Sequence, residues 1–248
     1  MTNTILSQFL THIVRKAEKY ISENDYLLSE KQKNNLHFRL KKASHPASSD
    51  AKLLQTDIAF IREKDPALAN KEDSEVFLYK SLTLTFLHRI ANQIYQDGNT
   101  TTARLLSEAN REMTGAEIHP GVKIGHSIFI DHPSGLIVGE TASIGNRFHG
   151  HGQVLLGSDG VSGAKKRHPT IGDDVTIWPK ASILGNRHIG NNVVVGAAAL
   201  ITHDVPQNST IVGHNTLVKE NGEKKKISLK DYWQKKFEIP QRVIFMGD

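Results

Sequence analysis

The chain has 248 residues, of which 38% are hydrophobic and 23% are charged, a balance typical of a folded globular protein and not of a disordered or collagen-like one. It contains no cysteine, which excludes disulfides, thiolate metal sites and a covalent acyl-cysteine intermediate. The net charge is +5, but the sequence shows no basic segment interleaved with aromatic residues, the pattern expected for nucleic-acid binding. No apolar run approaches the roughly 18 residues of a membrane span. The start of the chain lacks a signal-peptide pattern, so we expect a cytoplasmic protein.

Residues 1–112 have the pattern of an all-helical domain. Apolar residues follow helical spacing over residues 5–21, 53–61 and 76–94, with lysine and glutamate between them. Breaks are expected at two dipeptides, Asp65-Pro66 and Asp97-Gly98. The sequence therefore predicts several amphipathic helices in this part of the chain.

Residues 113–218 show a period of six. The aliphatic residues at this spacing form two sets: Ile118, Ile124, Ile130 and Leu136, then Ile171, Ile177, Ile183, Ile189, Val195 and Ile201. A period of six fits neither a helix nor a simple strand. It fits a three-sided coil in which each unit forms one flat face and about 18 residues complete a turn. We therefore predict an α+β chain, in which an all-helical domain precedes a left-handed parallel β-helix of hexapeptide repeats.

Two segments interrupt or follow this pattern. The stretch over residues 157–170 is rich in glycine and lysine and breaks the period, so we predict a loop ejected from the coil, a place where such folds carry function. Residues 219–248 form a basic C-terminal tail with seven lysines between Lys219 and Lys236. We expect a solvated tail, and the alternative is a segment that attracts an acidic partner or a phosphate-bearing ligand.

Two dipeptides of the repeat region pair an imidazole with a charged neighbour. These are Asp131-His132 and Arg167-His168. Histidine titrates near neutral pH, and a charged neighbour shifts its pKa. The residues alone leave both a structural and a catalytic role open for each pair.

The wider surroundings of these pairs carry a family resemblance. The segments are Glu117-Ile-His-Pro-Gly, Asp131-His-Pro-Ser-Gly, Gly139-Glu-Thr-Ala and Arg167-His-Pro-Thr, and the Asp65-Pro66 element precedes them. Together they resemble serine O-acetyltransferases, in order, from about residue 65 to residue 206. The resemblance implies transfer of acetyl from acetyl-CoA to the hydroxyl of L-serine by direct attack in a ternary complex, giving O-acetylserine for cysteine biosynthesis. No metal is implied.

The resemblance also implies roles for individual residues in acceptor binding and catalysis. His132 would be the general base that removes the hydroxyl proton. Glu117, where the family usually has aspartate, would orient its imidazole. Asp65 and Asp131 would bind the serine ammonium group. Arg167, with His168 beside it, would bind the carboxylate through its planar fork. Glu140 is expected to be a solvated corner residue.

The cofactor and the partners follow from the same resemblance. Ala181 and Ala197 match small residues beside the pantetheine arm of the coenzyme. Gly157 and Lys165, in the predicted loop over residues 157–170, are further candidates for cofactor binding. The family forms homotrimers or dimers of trimers. Its members that dock into cysteine synthase end in isoleucine, whereas this sequence ends in Met246-Gly-Asp248, so we expect no tight complex with that enzyme.

Three alternatives remain open from the sequence. The acceptor could be a hydroxyl compound other than serine. His149 and His151, two residues apart on one strand face, could belong to a zinc lyase of the γ-carbonic-anhydrase type, whose hexapeptide coils carry three-histidine zinc sites. The chain could also be a structural paralogue that does not bind coenzyme A.

Overall fold

A computed structural model describes residues 3–160, 165–212 and 243–245 of the chain. The N-terminal part is helical, as the sequence predicts. Its five helices, numbered α1 to α5, are Asn3–Asn24, Glu30–Ala43, Ser49–Lys64, Lys80–Gln96 and Thr100–Thr114. Short 3₁₀ turns occur at Asp25–Leu27, Pro66–Leu68 and Glu75–Leu78. Among the described residues, no helix is long and apolar enough to cross a bilayer.

The helix ends have clear local causes. The predicted break at Asp65 and Pro66 is confirmed, because α3 ends at Lys64 and the Asp65 carboxylate caps the next turn by accepting from the Ala67 N–H at 2.9 Å. Helix α5 ends at Thr114 and is followed by the cap residue Gly115, which has φ 77°. Glycine adopts this left-handed conformation at little cost. Helices α2 and α5 lie outside the three segments whose spacing predicted helices, and α5 extends two residues beyond the expected boundary at residue 112.

The repeat region forms a parallel β-helix with three sheets, which we call faces A, B and C. Face A contains β1, β4, β7, β10 and β13, face B contains β2, β5, β8 and β11, and face C contains β3, β6, β9, β12, β14 and β15. In chain order the strands β1 to β15 are Glu117–Ile118, Lys123–Ile124, Phe129–Asp131, Ile137–Val138, Ser143–Ile144, His149–His151, Leu155–Gly157, Thr170–Ile171, Thr176–Ile177, Ser182–Leu184, His188–Ile189, Val194–Val195, Leu200–Ile201, Thr210–Val212 and Val243–Phe245.

The register explains the period of six. Ile118 pairs with Val138 and Ile183 pairs with Ile201, so aliphatic residues of successive coils stand one above the other. These side chains are buried and form one continuous core inside the coil. Burial of such a column is the main stabilising contribution available to a fold whose repeats contact only their neighbours. The predicted repeat architecture is therefore confirmed.

The coil continues above the predicted loop, and one strand was not predicted. Gly157 of β7 pairs with Leu184 of β10, although the loop segment intervenes in the chain, and residues 161–164 of that loop lie outside the described residues. The last strand, Val243–Phe245, extends face C by pairing with β14. This strand lies within residues 219–248, the segment that the sequence assigns to the tail. The lysine-rich part of the tail lies outside the described residues.

A buried ion pair joins the helices to the first coil. Asp57 of α3 is fully buried, and its carboxylate pairs with Arg89 of α4 at 2.6 Å. The same carboxylate accepts hydrogen bonds from the Thr85 hydroxyl at 2.8 Å and from the Ile128 backbone N–H at 2.8 Å. The Arg89 guanidinium also donates to the Gly125 carbonyl at 3.2 Å. Because removal of one partner from such a pair leaves an uncompensated buried charge, the joint is expected to be rigid.

Candidate active site

A cavity of about 810 Å³ lies between the segment that joins α3 to α4, the start of α4, and the corner where face C turns into face A. Asp65, Asp131 and His132 line it together, although Asp65 is far from the other two in the sequence. Asp131 ends β3 and His132 follows it at the corner between face C and face A, which we call the His132 corner. The structure therefore brings together three of the predicted site residues.

Asp65 is held in place by hydrogen bonds to both carboxylate oxygens. Oδ1 accepts from the Ala67 N–H, and Oδ2 accepts from the Tyr79 hydroxyl at 2.5 Å. Burial, and then the hydrogen bond to Asp65, raise the pKa of Tyr79, so the phenol stays protonated and keeps donating. Sequence reasoning missed Tyr79, because nothing in its local pattern distinguishes it from a core aromatic residue.

His132 is presented to solvent with few contacts. Its backbone has φ 47°, in the left-handed region, and its side chain is 93% exposed. The Nε2 atom lies 3.5 Å from Oδ1 of Asp131. A non-glycine residue with positive φ is uncommon and marks a position where the chain must turn sharply. The turn projects the imidazole outward at the mouth of the cavity.

Glu117 lies close to the same corner through the backbone. The Glu117 N–H donates to the Leu136 carbonyl at 2.8 Å, and the Gly135 N–H donates to the Gly115 carbonyl at 2.7 Å. Within the described residues, however, the ion pair of Glu117 is with Arg111 at 3.4 Å, and no contact joins it to His132. The predicted orientation of the imidazole by Glu117 therefore stays a prediction.

Arg167 and His168 lie on a different corner, between face A and face B, which we call the Arg167 corner. The Arg167 guanidinium donates to Oε2 of Glu140 at 2.7 Å, and Oε1 of Glu140 accepts from the Tyr95 hydroxyl at 2.8 Å. These bonds to Tyr95 and then to Arg167 lower the pKa of Glu140. Glu140 is therefore a bridging carboxylate and not the solvated corner residue that the sequence predicts.

His168 is fixed by its neighbour Thr141. Its Nδ1 lies 2.8 Å from the Thr141 hydroxyl oxygen and accepts the Thr141 backbone N–H at 3.2 Å. Because a backbone N–H can only donate, Nδ1 is unprotonated and the neutral ring carries its proton on Nε2. Burial, and then the charge of Arg167, lower the pKa of His168. Lys166 donates to the Thr141 carbonyl oxygen, which completes a fully bonded corner.

The four predicted cofactor-binding residues are spread along the coil. Ala181 is fully buried in the coil core, and its carbonyl oxygen accepts the Leu155 N–H at 3.0 Å. Gly157 is also buried, and its carbonyl oxygen accepts the Gly185 N–H at 2.9 Å. Ala197 and Lys165 are exposed. The structure therefore presents the surfaces of Ala197 and Lys165, but not the side chain of Ala181, to a ligand.

The pair predicted as a possible zinc site stacks instead of converging. His149 and His151 share one face of β6, with ring centroids 4.6 Å apart. His149 stacks on Phe129 at 4.7 Å and His151 stacks on Trp178 at 4.8 Å. Over the described ranges, no group of three or more histidine, cysteine, aspartate or glutamate side chains is placed to hold a metal ion.

Known proteins share the sequence pattern and the fold of this chain. The family model described as bacterial transferase hexapeptide (six repeats) matches residues 168–203. A serine acetyltransferase of Bacillus licheniformis is 40% identical over 174 residues, which cover 70% of this chain and 80% of that protein. The Neisseria gonorrhoeae serine acetyltransferase in complex with serine has a TM-score of 0.68 at 34% identity and covers 83% of this chain and 80% of its own.

A plant structure gives the same result. Soybean serine acetyltransferase complexed with serine has a TM-score of 0.66 at 30% identity, covering 86% of this chain and 96% of its own. The coil and the corner sites thus define a hexapeptide-repeat acyltransferase. Within that class, the chain belongs to the serine acetyltransferase family.

Proposed function

We propose that this transferase moves acetyl from acetyl-CoA to the hydroxyl of L-serine, with His132 as general base. The observation that carries the proposal is the cavity that joins His132 to two carboxylates, Asp65 and Asp131. Serine is a zwitterion, and these carboxylates attract its ammonium group into the cavity. The hydroxyl then lies beside the imidazole. No group of this chain needs to carry the acetyl, and the absence of cysteine excludes an acyl-cysteine route.

The imidazole is needed because a serine hydroxyl is too weakly acidic to ionise at neutral pH. His132 takes the hydroxyl proton as the oxygen attacks the thioester carbonyl, and a positioned base contributes roughly 10²- to 10⁴-fold to the rate. The imidazolium that forms is stabilised by Asp131, whose Oδ1 is 3.5 Å from Nε2. The tetrahedral intermediate then breaks its C–S bond, and the departing coenzyme A thiolate takes the proton from the imidazolium, which gives O-acetylserine, coenzyme A and a neutral His132. We further propose that, when substrates bind, the Glu117 carboxylate leaves Arg111 and pairs with His132. The backbone supports this, because the Glu117 N–H is bonded to the carbonyl of Leu136, four residues after His132.

A second copy of the chain would complete the site. Arg167 and His168 lie on a different corner from the cavity, so one chain does not place them beside Asp65. Face A, which separates the two corners, presents aliphatic side chains to solvent, with Ile137 45% exposed and Leu200 52% exposed. We propose that these aliphatic residues pack against a neighbouring copy in a trimer. The neighbour's Arg167 corner then binds the serine carboxylate at the cavity mouth, and helical contacts can join two trimers.

Coenzyme A would lie along the same interface. Ala197 and Lys165 are exposed. A small side chain such as Ala197 lets an extended amide chain approach the coil backbone, and a lysine attracts phosphate. The basic tail could extend this attraction, but its lysines lie outside the described residues. Cysteine synthase is not among the partners we propose.

The test is a thiol-release assay with acetyl-CoA and a panel of acceptors: L-serine, L-homoserine, L-threonine and sugar alcohols. We expect the highest kcat/KM with L-serine. The proposal fails if coenzyme A release with L-serine stays at the hydrolysis background, or if another acceptor exceeds serine at least tenfold. Sedimentation velocity tests the assembly, and a monomeric active enzyme would refute the shared site.

A further inference from the structure

A second histidine of the cavity has no role in the mechanism described above. His151 ends β6 and pairs in register with Asp131 of β3, so the two side chains stand on adjacent coils. Both line the same cavity. His151 is only 6% exposed, whereas His132 protrudes into solvent. The cavity therefore contains one loosely held imidazole and one that is packed into its wall.

The hydrogen bonding of His151 fixes which ring nitrogen carries the proton. Nδ1 lies 2.8 Å from the carbonyl oxygen of Ile177. A carbonyl oxygen can only accept, so Nδ1 carries the hydrogen and donates it. Burial lowers the pKa of His151, which keeps the ring neutral near pH 7. Nε2 therefore holds a free lone pair and can only accept a hydrogen bond.

The ring cannot easily turn away from this orientation. It is packed between His149 at 4.6 Å and Trp178 at 4.8 Å, the latter nearly parallel at 19°. Nε2 of His151 has no hydrogen-bond partner in the described part of the chain, and it is not among the buried unpartnered atoms, which include Nε2 of His149. The two imidazoles differ in this respect. Nε2 of His149 is buried away from solvent, whereas Nε2 of His151 faces the cavity.

We propose that Nε2 of His151 accepts a hydrogen bond from the ammonium group of the acceptor amino acid, so that His151 determines acceptor specificity. This inference rests on the proposed serine acetyltransfer. An ammonium group has three donors, and the cavity offers three acceptors in Asp65, Asp131 and His151. The hydroxyl is left for His132. A neutral acceptor satisfies the third donor without placing a third carboxylate beside the first two.

The matched variants are His151→Leu, His151→Gln and, as control, His149→Leu. Loss of a hydrogen bond to a charged group should raise the KM for L-serine in His151→Leu about 10- to 100-fold. The kcat should stay within about threefold and the KM for acetyl-CoA should not change. His151→Gln, whose amide oxygen can accept the same hydrogen bond, should recover part of the loss. His149→Leu keeps a bulky apolar side chain against the His151 ring and does not touch the cavity, so it should change the KM for L-serine by less than about threefold.

A substrate without the ammonium group separates specificity from a packing role. With 3-hydroxypropionate as acceptor, His151→Leu should lower kcat/KM much less than it does with L-serine. An equal loss with both acceptors, an equal loss in His149→Leu, or an unchanged serine KM in His151→Leu would each overturn the inference. A wild-type enzyme that is inactive on serine would instead refute the proposed function as well. If His151→Leu does not fold by circular dichroism, His151→Phe, which keeps an aromatic ring in the stack but removes the acceptor, is measured with the two substrates instead.

Discussion

The His132 corner and the Arg167 corner belong to the same coil but hold their functional side chains in opposite ways. His132 is almost fully exposed and has one weak ionic contact. Arg167 is bonded to Glu140, which is bonded in turn to Tyr95, and the imidazole of His168 is bonded to both the backbone N–H and the hydroxyl of Thr141. A base must reach a reacting hydroxyl and then release its proton, which requires some freedom. A residue that recognises a carboxylate acts best when its orientation is set beforehand.

The largest expected effect is the loss of activity when the exposed imidazole of His132 is removed. His132→Ala should lower kcat with L-serine about 10²- to 10⁴-fold, because the hydroxyl loses its general base. Acetyl-CoA affinity, measured by calorimetry with desulfo-coenzyme A, should change by less than about twofold. His126→Ala, a change at another exposed histidine of the coil, is the control and should keep wild-type activity. Retention of more than about one third of kcat in His132→Ala would remove His132 from the mechanism.

The next largest effect is expected at the Arg167 corner. Arg167→Ala should lower kcat/KM for L-serine about 10- to 100-fold through KM, because a charged hydrogen-bonding fork is lost. Arg167→Lys should recover only a small part, since an ammonium does not match a carboxylate in two-point geometry. Arg104→Ala, which breaks an ion pair on α5, is the matched control. A rise in the KM for acetyl-CoA instead of serine would assign Arg167 to the cofactor.

A smaller effect should follow from loosening the corner without removing its cation. Glu140→Gln keeps the shape but loses the charge that holds Arg167, and we expect the serine KM to rise about three- to tenfold. In an Arg167→Ala background the same change should add almost nothing, because the two residues act as one unit. Steady-state kinetics of the four proteins form a double-mutant cycle. Additive effects would show that Glu140 acts independently of Arg167.

The smallest effect concerns pH and stability at the Arg167 corner. The pKa of His168 is lowered in the folded chain. Between an ordinary histidine pKa of about 6.5 and this lower value, the unfolded chain therefore binds a proton that the folded chain does not. Stability should be fully present above about pH 6.5 and decrease as the pH falls. His168→Gln should reduce this decrease by about 1 kcal/mol or less.

Thermal unfolding of both proteins at pH 7.5 and pH 5.5 measures this difference. Part of the decrease in stability at low pH should remain in His168→Gln, because burial also lowers the pKa of His88 to about 4 and that of His149 to about 4. An unchanged or steeper slope in His168→Gln would contradict the assignment of a neutral His168.

The sequence predicts the coil well because its determinants are local and repeated. An aliphatic residue at every sixth position must face inward if the coil is to have a core, so Ile171, Ile177 and Ile183 define the faces directly. The breaks before Pro66 and Gly98 follow from equally local chemistry. The positions of Asp65 and Asp131 in one cavity depended on family resemblance and not on such a rule.

The parts that the sequence did not predict depend on contacts between distant residues. Glu140 is bonded to Tyr95 and Arg167, which come from a helix and from the segment that precedes β8. Asp57 meets Arg89 and the Ile128 backbone in the same way. The spacing of His149 and His151 correctly predicted a shared face, but not that stacking on Phe129 and Trp178 would set their orientation. No period in the sequence encodes any of these pairings.

The buried Asp57 carboxylate also bears on how the enzyme can work. It fastens α3, α4 and the first coil at a single point, and the cavity is lined by residues that follow α3, by the start of α4 and by β3. Separation of the helices from the coil would leave the buried Asp57 carboxylate without its hydrogen-bond partners. We therefore expect the amino acid to enter through the open side of the cavity at the His132 corner. Turnover should therefore be limited by chemistry or by product departure, and not by a hinge between the two halves of the chain.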